Sequence, residues 1–232
     1  MSDPARFTVE RLGLMPYVQA LELQRERHAA LVAARAEAPP HLILVVEHPP
    51  VVTVTRRPGA ADHVLADAAR LAAAGIQRCD TDRGGDVTYH GPGQAVVYPI
   101  VDLQRLGIGI HAYIRALEGA AIAACAAWGI ACRREAGATG VWTEPGAGGE
   151  SRKIAAIGVR VSRSATLHGL ALNVDPDLAH FSVIVPCGLH GRAVTSMRAE
   201  LGDRCPGLYE ASDRLACEVV RALAAAATVT RP

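Results

Sequence analysis

The sequence predicts a single domain of the α/β (α+β) class, and three observations carry that expectation. Half of the 232 residues are apolar, a fifth are charged, and the formal net charge is +1, the balance of a chain that buries a core. Short β-branched runs and longer helical stretches follow one another without strict strand–helix–strand alternation. No internal repeat and no long linker divides the chain, so residues 1–232 are read as one domain.

The elements follow in order. Met15 to Ala38 is expected to be an amphipathic helix, with Tyr17, Leu21, His28, Leu31 and Ala34 near helical spacing and Pro39-Pro40 as its stop. Leu42 to Glu47 and Val51 to Thr55 read as short strands. Ala61 to Ala74 reads as a helix ended by Gly75, and Ile76 to Asp80 as a strand. Gln94 to Leu103 is an apolar strand that Pro99 demotes to an edge or bulge. Ile110 to Trp128 is the clearest helix, striped by Tyr113, Leu117, Ala121 and Ala124. Ala136 to Arg152, rich in Gly, Ala and Glu, is expected to be a mobile loop. Lys153 to Val161 and Leu167 to Val174 form a hairpin around Ser162 to Thr166. With its turn centred near Ser164, Gly158 falls opposite Leu170, Ala156 opposite Leu172 and Lys153 opposite Asp175. After a helical turn at Pro176 to His180 comes a strand end, Val183-Ile184-Val185. Leu208 to Leu223 is the last helix.

Several classes are excluded. The longest stretch without Asp, Glu, Lys or Arg runs from Val87 to Val101 and contains two Pro and two Gly, too short and too broken for a transmembrane helix. Early acid and the lack of an apolar segment at the N-terminus predict no secretory signal and a cytoplasmic location. The near-neutral charge argues against nucleic-acid binding.

Among 24 basic residues, Lys153 is the single lysine. Arg codon preference accounts for the scarcity of Lys but not for its retention here. Arg does not lose its proton in a protein, whereas Lys can, so Lys153 is a candidate for proton chemistry. None of the six cysteines forms a C-x-x-C pair, so no zinc site is expected. Cys125 and Cys217 read as small core residues, Cys79 and Cys132 as packed strand residues, and Cys205 as part of a turn. Cys187, in Pro186-Cys187-Gly188, is either a buried turn thiol or a nucleophile presented beside backbone N–H groups. His190, three residues on, is a weak partner for metal or catalysis. His168 and His48 read first as satisfied structural histidines. The segment from Arg83 to Gln94 concentrates Gly, Arg, Tyr and His between two strands and offers backbone donors, a cation and an imidazole to one ligand. It matches neither a phosphate loop nor a dinucleotide fingerprint.

Four blocks in this order, Arg83-Gly-Gly-Asp-Val-Thr-Tyr-His-Gly-Pro-Gly-Gln, Lys153-Ile-Ala-Ala-Ile-Gly-Val-Arg, Leu167-His-Gly-Leu-Ala-Leu-Asn-Val and Pro186-Cys-Gly, resemble the lipoyl(octanoyl) transferase family of lipoate biosynthesis. The resemblance implies the fold of the catalytic domains of biotin and lipoate protein ligases, a mixed sheet flanked by helices. It implies transfer of an octanoyl group from octanoyl-acyl carrier protein to a specific lysine of lipoyl domains, the first step of endogenous protein lipoylation. The acceptors would be the lipoyl domains of 2-oxoacid dehydrogenase E2 subunits and the glycine cleavage H protein. It places an acyl-enzyme thioester on Cys187 with Lys153 as its partner. Substrate-binding positions carry over onto Arg83, Gly84, Gly85, Asp86, Val87, Thr88, Tyr89 and His90, onto Ala156, Ile157 and Gly158, and onto Gly169, Leu170 and Ala171. No cofactor and no metal is implied, and no ATP, because a thioester is already activated. The chain departs from the family at Thr55, where a Gly usually precedes the pair Arg56-Arg57.

Overall fold

The computed structural model describes residues 6–34, 39–145, 149–185 and 192–229. The strands are β1 (Phe7–Leu14), β2 (His41–Glu47), β3 (Val51–Thr55), β4 (Gln77–Thr81), β5 (Thr88–His90), β6 (Gln94–Ile100), β7 (Cys132–Glu135), β8 (Ala138–Thr143), β9 (Lys153–Ser162) and β10 (Ala165–Asn173). The helices are α1 (Tyr17–Ala34), α2 (Ala68–Ala73), α3 (Leu103–Leu106), α4 (Ile110–Ala126), α5 (Met197–Leu201) and α6 (Leu208–Val229). Among the described residues, seven strands form a mixed sheet in the order β1-β2-β6-β10-β9-β8-β7, and three form a smaller sheet, β4-β3-β5. The pairs β1/β2 and β3/β4 are parallel, and the others are antiparallel.

The large sheet is covered on both faces. One face carries the main core under α4 and α6, with Leu117, Ala121, Leu215, Val219 and Leu223 against Val97, Leu170 and Leu172. The opposite face packs Ala20 and Leu31 of α1 on Leu44, Val96, Tyr98 and Ala171. The start of α1 also touches the small sheet, where Tyr17 and Leu21 meet Val51. Among the described residues no helix is long and apolar enough to cross a membrane.

Several expectations are corrected. Strand β1 has no counterpart in the sequence reading. It is a half-exposed edge strand interrupted by charge, with Phe7 and Val9 against the main core and Arg11 turned to Asp213 at 2.6 Å. Pro99 does not mark an edge, since β6 lies at the sheet centre. It pairs with Ile43 of β2, while the β10 ladder against β6 runs only from Gln94 to Val97. Beyond that ladder Thr166 Oγ1 bridges the two strands, donating to the Pro99 carbonyl at 2.7 Å and accepting from Val101 N–H at 2.9 Å.

The helix expected over Ala61 to Ala74 is split into a 3-10 turn (Ala60–His63) and α2. Val64 is drawn into a bridge with Ile184, and Asp67 caps the second piece by accepting from the Arg70 N–H at 2.8 Å. The same bridge replaces the strand expected at Val183 to Val185, where a 3-10 turn runs from Leu178 to Val183. The expected loop at Ala136 to Arg152 contains β8, because Val141 and Trp142 pair with β9. The β9–β10 hairpin is present with its register one residue away from the expected one. Arg163 (φ 51°) and Ser164 (φ 67°) make a two-residue turn with both φ values positive. Gly158 therefore faces Gly169, and Ala156 faces Ala171.

Candidate active site

A two-residue hairpin turn sets which side chains share a face, and here it aligns two pairs of the smallest residues. Ala156 opposite Ala171 and Gly158 opposite Gly169 make a flat floor on the α1 side of the large sheet. The floor lies close to its neighbours. A Cβ on Gly169 would sit 2.1 Å from the Val97 carbonyl oxygen, and one on Gly158 would sit 2.9 Å from that of Gly84. The segment at Arg83 is stapled across this point by the Gly84 N–H, which donates to Val159 O at 2.8 Å.

Above the floor is a hollow that opens to solvent. Its walls are Tyr17, Arg83, Gly85, Thr88, His90, Tyr98 and His168, and its lining from β9 and β10 is Ala156, Ile157, Gly158, Gly169, Leu170 and Ala171. Alternation along β5 divides the Arg83–His90 segment. Thr88 and His90 face the hollow, whereas Val87 and Tyr89 point into the small sheet's own core. Tyr89 reaches His180 Nδ1 at 2.8 Å, and burial raises its pKa to about 12. Asp86 also turns away, to His63 Nδ1 at 2.7 Å, and Gly84 lies under β9. Gly84, Asp86, Val87 and Tyr89 thus stand behind the wall, while the other proposed substrate positions line it. Tyr17, Tyr98 and His168 line it too, and the sequence reading did not select them.

The walls carry polar atoms but little charge. His48 donates from Nδ1 to Met15 O at 2.7 Å and accepts from the Tyr98 hydroxyl at Nε2 at 2.8 Å, and burial lowers its pKa to about 4. Burial, with His48 nearby, lowers that of His90 to about 3. Burial likewise raises the pKa of Tyr17 and Tyr98. His168 is lowered by burial against the pull of Asp82, whose oxygen lies 2.9 Å from Nε2. Arg83 is held through Nη2, which donates to Thr53 O at 3.1 Å and Oγ1 at 2.9 Å. Apart from the Arg83 guanidinium, which is tied to Thr53, the hollow is neutral, and its Ala/Gly floor suits an alkyl chain.

Lys153 reaches this face through a β-bulge. Val141 pairs with Ala155 and Trp142 with Lys153, so Ile154 is an extra residue on β9. Ile154 and Ala155 both belong to the core under α4 and α6. Alternation therefore skips a step, and Lys153 emerges on the face of Ala156 and Gly158. Its partner across the strands is Trp142 with a bridge to Val194, not Asp175. The side chain is buried, with Nζ 5.1 Å from the centre of the Trp142 ring. Arg192 Cζ lies 4.3 Å from the same ring.

Cys187, with Pro186, Gly188 and His190, falls outside the described residues. The chain on either side of it is anchored. Val185 N–H donates to His63 O at 2.8 Å. At Ala193 to Thr195 the chain runs beside Lys153, which donates its N–H to Ala193 O and accepts from Thr195 N–H, both at 2.9 Å. Thr195 O accepts from Asn173 Nδ2 at 2.9 Å, Asn173 Oδ1 accepts from Gln94 Nε2 at 2.9 Å, and Gln94 Oε1 meets His90 Nδ1 at 3.0 Å. A continuous run of buried hydrogen bonds thus ties the wall of the hollow to the backbone of Lys153.

Cys79 and Cys132 are partly buried and Cys125 is buried, but Cys217 is exposed, contrary to its reading as a core residue. Among the described residues no group of three or more His, Cys, Asp or Glu is placed to hold a metal.

A family model described as the lipoyl protein ligase A/B catalytic domain matches residues 16–220. An octanoyltransferase of Chloroflexus aurantiacus is 46% identical over 214 residues, covering 91% of this chain and 92% of that protein. An octanoyltransferase of Mycobacterium marinum is 45% identical over 228 residues, covering 96% and 90%. In three dimensions the chain is similar to a bi-partite lipoate protein ligase of Thermoplasma acidophilum, with a TM-score of 0.69 at 17% identity over 94% of this chain and 83% of that one. It is also similar to a biotin protein ligase of Aquifex aeolicus, with a TM-score of 0.51 at 10% identity over 94% and 70%. The mixed α/β fold is shared with both kinds of ligase.

Proposed function

The chain belongs to the lipoyl protein ligase A/B catalytic-domain family, and on that footing we propose that it is an octanoyltransferase, carrying an octanoyl group from octanoyl-acyl carrier protein to a lysine of a lipoyl domain through a thioester on Cys187. The observation that carries this reading is the trough itself, a hollow floored by Ala156, Gly158, Gly169 and Ala171, with Arg83 as its one charged wall residue among those described and the chain's single lysine on the same face of the sheet. Burying the seven carbons beyond the carbonyl contributes about 6 kcal/mol at roughly 0.8 kcal/mol each.

In the first step the Cys187 thiolate attacks the carrier thioester. A new C–S bond forms, the old one breaks, and the carrier thiol leaves with a proton. A free thiol has a pKa of about 8.5, so a neighbouring amine is needed to raise the thiolate fraction. Lys153 serves that role, as the cation beside the thiolate or as the base that takes its proton. In the second step the acceptor amine attacks the thioester, loses a proton and becomes an amide, and the Cys187 sulfur departs. The N–H of Gly188 stabilises the oxyanion of both steps, a contribution of about 3 kcal/mol per donor.

Mixing the protein with octanoyl-acyl carrier protein is expected to add one acyl mass, mapped by peptide sequencing to Cys187, and a lipoyl domain then removes it. A label at another residue, or none, overturns the acyl-enzyme. Transfer that requires ATP and free acid in place of the carrier thioester would make the protein a ligase. Lys153→Arg should fold normally and lose transfer by about a hundredfold or more, and an active variant would dismiss the proton role.

A further inference from the structure

We propose that Gly140 and Trp142 of β8 form a rigid cradle for the Lys153 side chain, which makes Trp142 a positioning residue for acyl transfer. The inference rests on the function proposed above for Lys153, and its own support is geometric. Gly140 adopts φ 124°, and a Cβ there would lie 2.7 Å from Lys153 Cε and 2.6 Å from Ala155 O. The lysine stem therefore lies against the Gly140 α-carbon, in space that any side chain would fill. Gly140 is itself fixed from below. Its N–H donates to Glu118 Oε1 at 3.3 Å, and that buried carboxylate is held by Arg115 at 2.6 Å and Arg134 at 3.2 Å. One strand position further, past Val141, the Trp142 indole comes within 5.1 Å of Nζ.

The ring is as well anchored as the glycine. Trp142 is fully buried, and its Nε1–H donates to Ala138 O at 3.0 Å. A buried aromatic face attracts an ammonium group and restricts the lysine's four side-chain torsions before any substrate arrives. The same ring meets Arg192, which is also paired to Glu135 at 3.2 Å. One indole therefore registers the lysine against the segment at Arg192 to Thr195 that runs beside it.

The test measures acylation by octanoyl-acyl carrier protein in the full-length enzyme, by intact mass. Trp142→Phe keeps an aromatic face and should act within about twofold of the parent. Trp142→Met keeps apolar bulk without that face and should lose about tenfold in kcat with an unchanged KM for the carrier protein. In a Trp128→Phe background, replacing tryptophan by its mono-, di- and trifluoro forms preserves shape while weakening the ring's negative face. Stepwise slowing of acylation across that series, relative to the unfluorinated Trp128→Phe protein, supports the cradle, because every member shares one background and one shape at Trp142. Equal rates across the series, or equal losses in the Phe and Met variants, overturn it. If the parent enzyme takes no acyl group from the carrier, the reading of Lys153 as a catalytic partner fails and the positioning role of Trp142 is overturned with it, an outcome distinct from an active parent with equal rates across the series.

Discussion

His48 and His90 are buried in the neutral form, with pKa values lowered to about 4 and about 3 from an ordinary 6.5. Below pH 6.5 the unfolded chain binds protons at these positions that the native state refuses. Stability should be constant above that pH and fall as pH drops toward 4, at about 1.4 kcal/mol per pH unit for each histidine. Urea unfolding at successive pH values checks this, with a shallower fall in His48→Gln, and a flat profile would show that neither imidazole is held neutral. Sequence context singled out Lys153 by its rarity and the run from Arg83 to His90 by its composition, but of that run only Arg83, Gly85, Thr88 and His90 line the hollow. Tyr17, Tyr98 and His168 were not legible, because they join the hollow only through the packing of α1, β6 and β10. The left-handed φ of 60° at His168 was not legible either, because His adopts that conformation more often than most residues but still in a small minority of cases. Cys217 was misread for a rotational reason: Leu215 and Val219 face the core, and two positions on from Leu215 a helix has turned about 200°.

The hairpin of β9 and β10 was legible as an element, from two apolar runs around a short polar turn. Its register was not, because a turn centred on one residue and a turn made of two differ by a single step, and a step moves every pair. The bulge at Ile154 was equally hidden, since an extra residue looks like any other apolar residue in the run. The floor pairs that result carry their own prediction. Ala171→Val places two methyl groups where the acyl chain is proposed to lie. It should shift preference from octanoyl toward hexanoyl by about tenfold, measured by competing the two acyl-carrier proteins. An unchanged ratio would place the chain elsewhere. Strand β8 was lost in the expected loop because Gly and Ala set its composition, although Val141 and Trp142 decide its pairing.

Across the whole molecule, the mixture of helices and strands was readable, but the division into two sheets was not, because no linker marks it. The sheets meet at Gly91-Pro92-Gly93, between β5 and β6. Gly93 has φ 85°, takes Glu47 on its N–H at 2.8 Å, and accepts from Val174 N–H at 3.1 Å and Asp175 N–H at 2.9 Å. A Cβ there would lie 2.2 Å from Asp175 O. Gly93→Ala should therefore cost about 1–3 kcal/mol, read as a lower thermal midpoint, and an unaltered melt would show that the joint yields freely. The assembly also has an order in time. Tyr17, Arg83 and His90 leave the ribosome well before β9 and β10, yet those two late strands close on each other within microseconds, faster than pairings between distant segments form. A nascent chain halted ahead of β10 thus lacks the Gly169–Ala171 side of the floor, so the proposed acyl site is not complete until translation has passed most of the message.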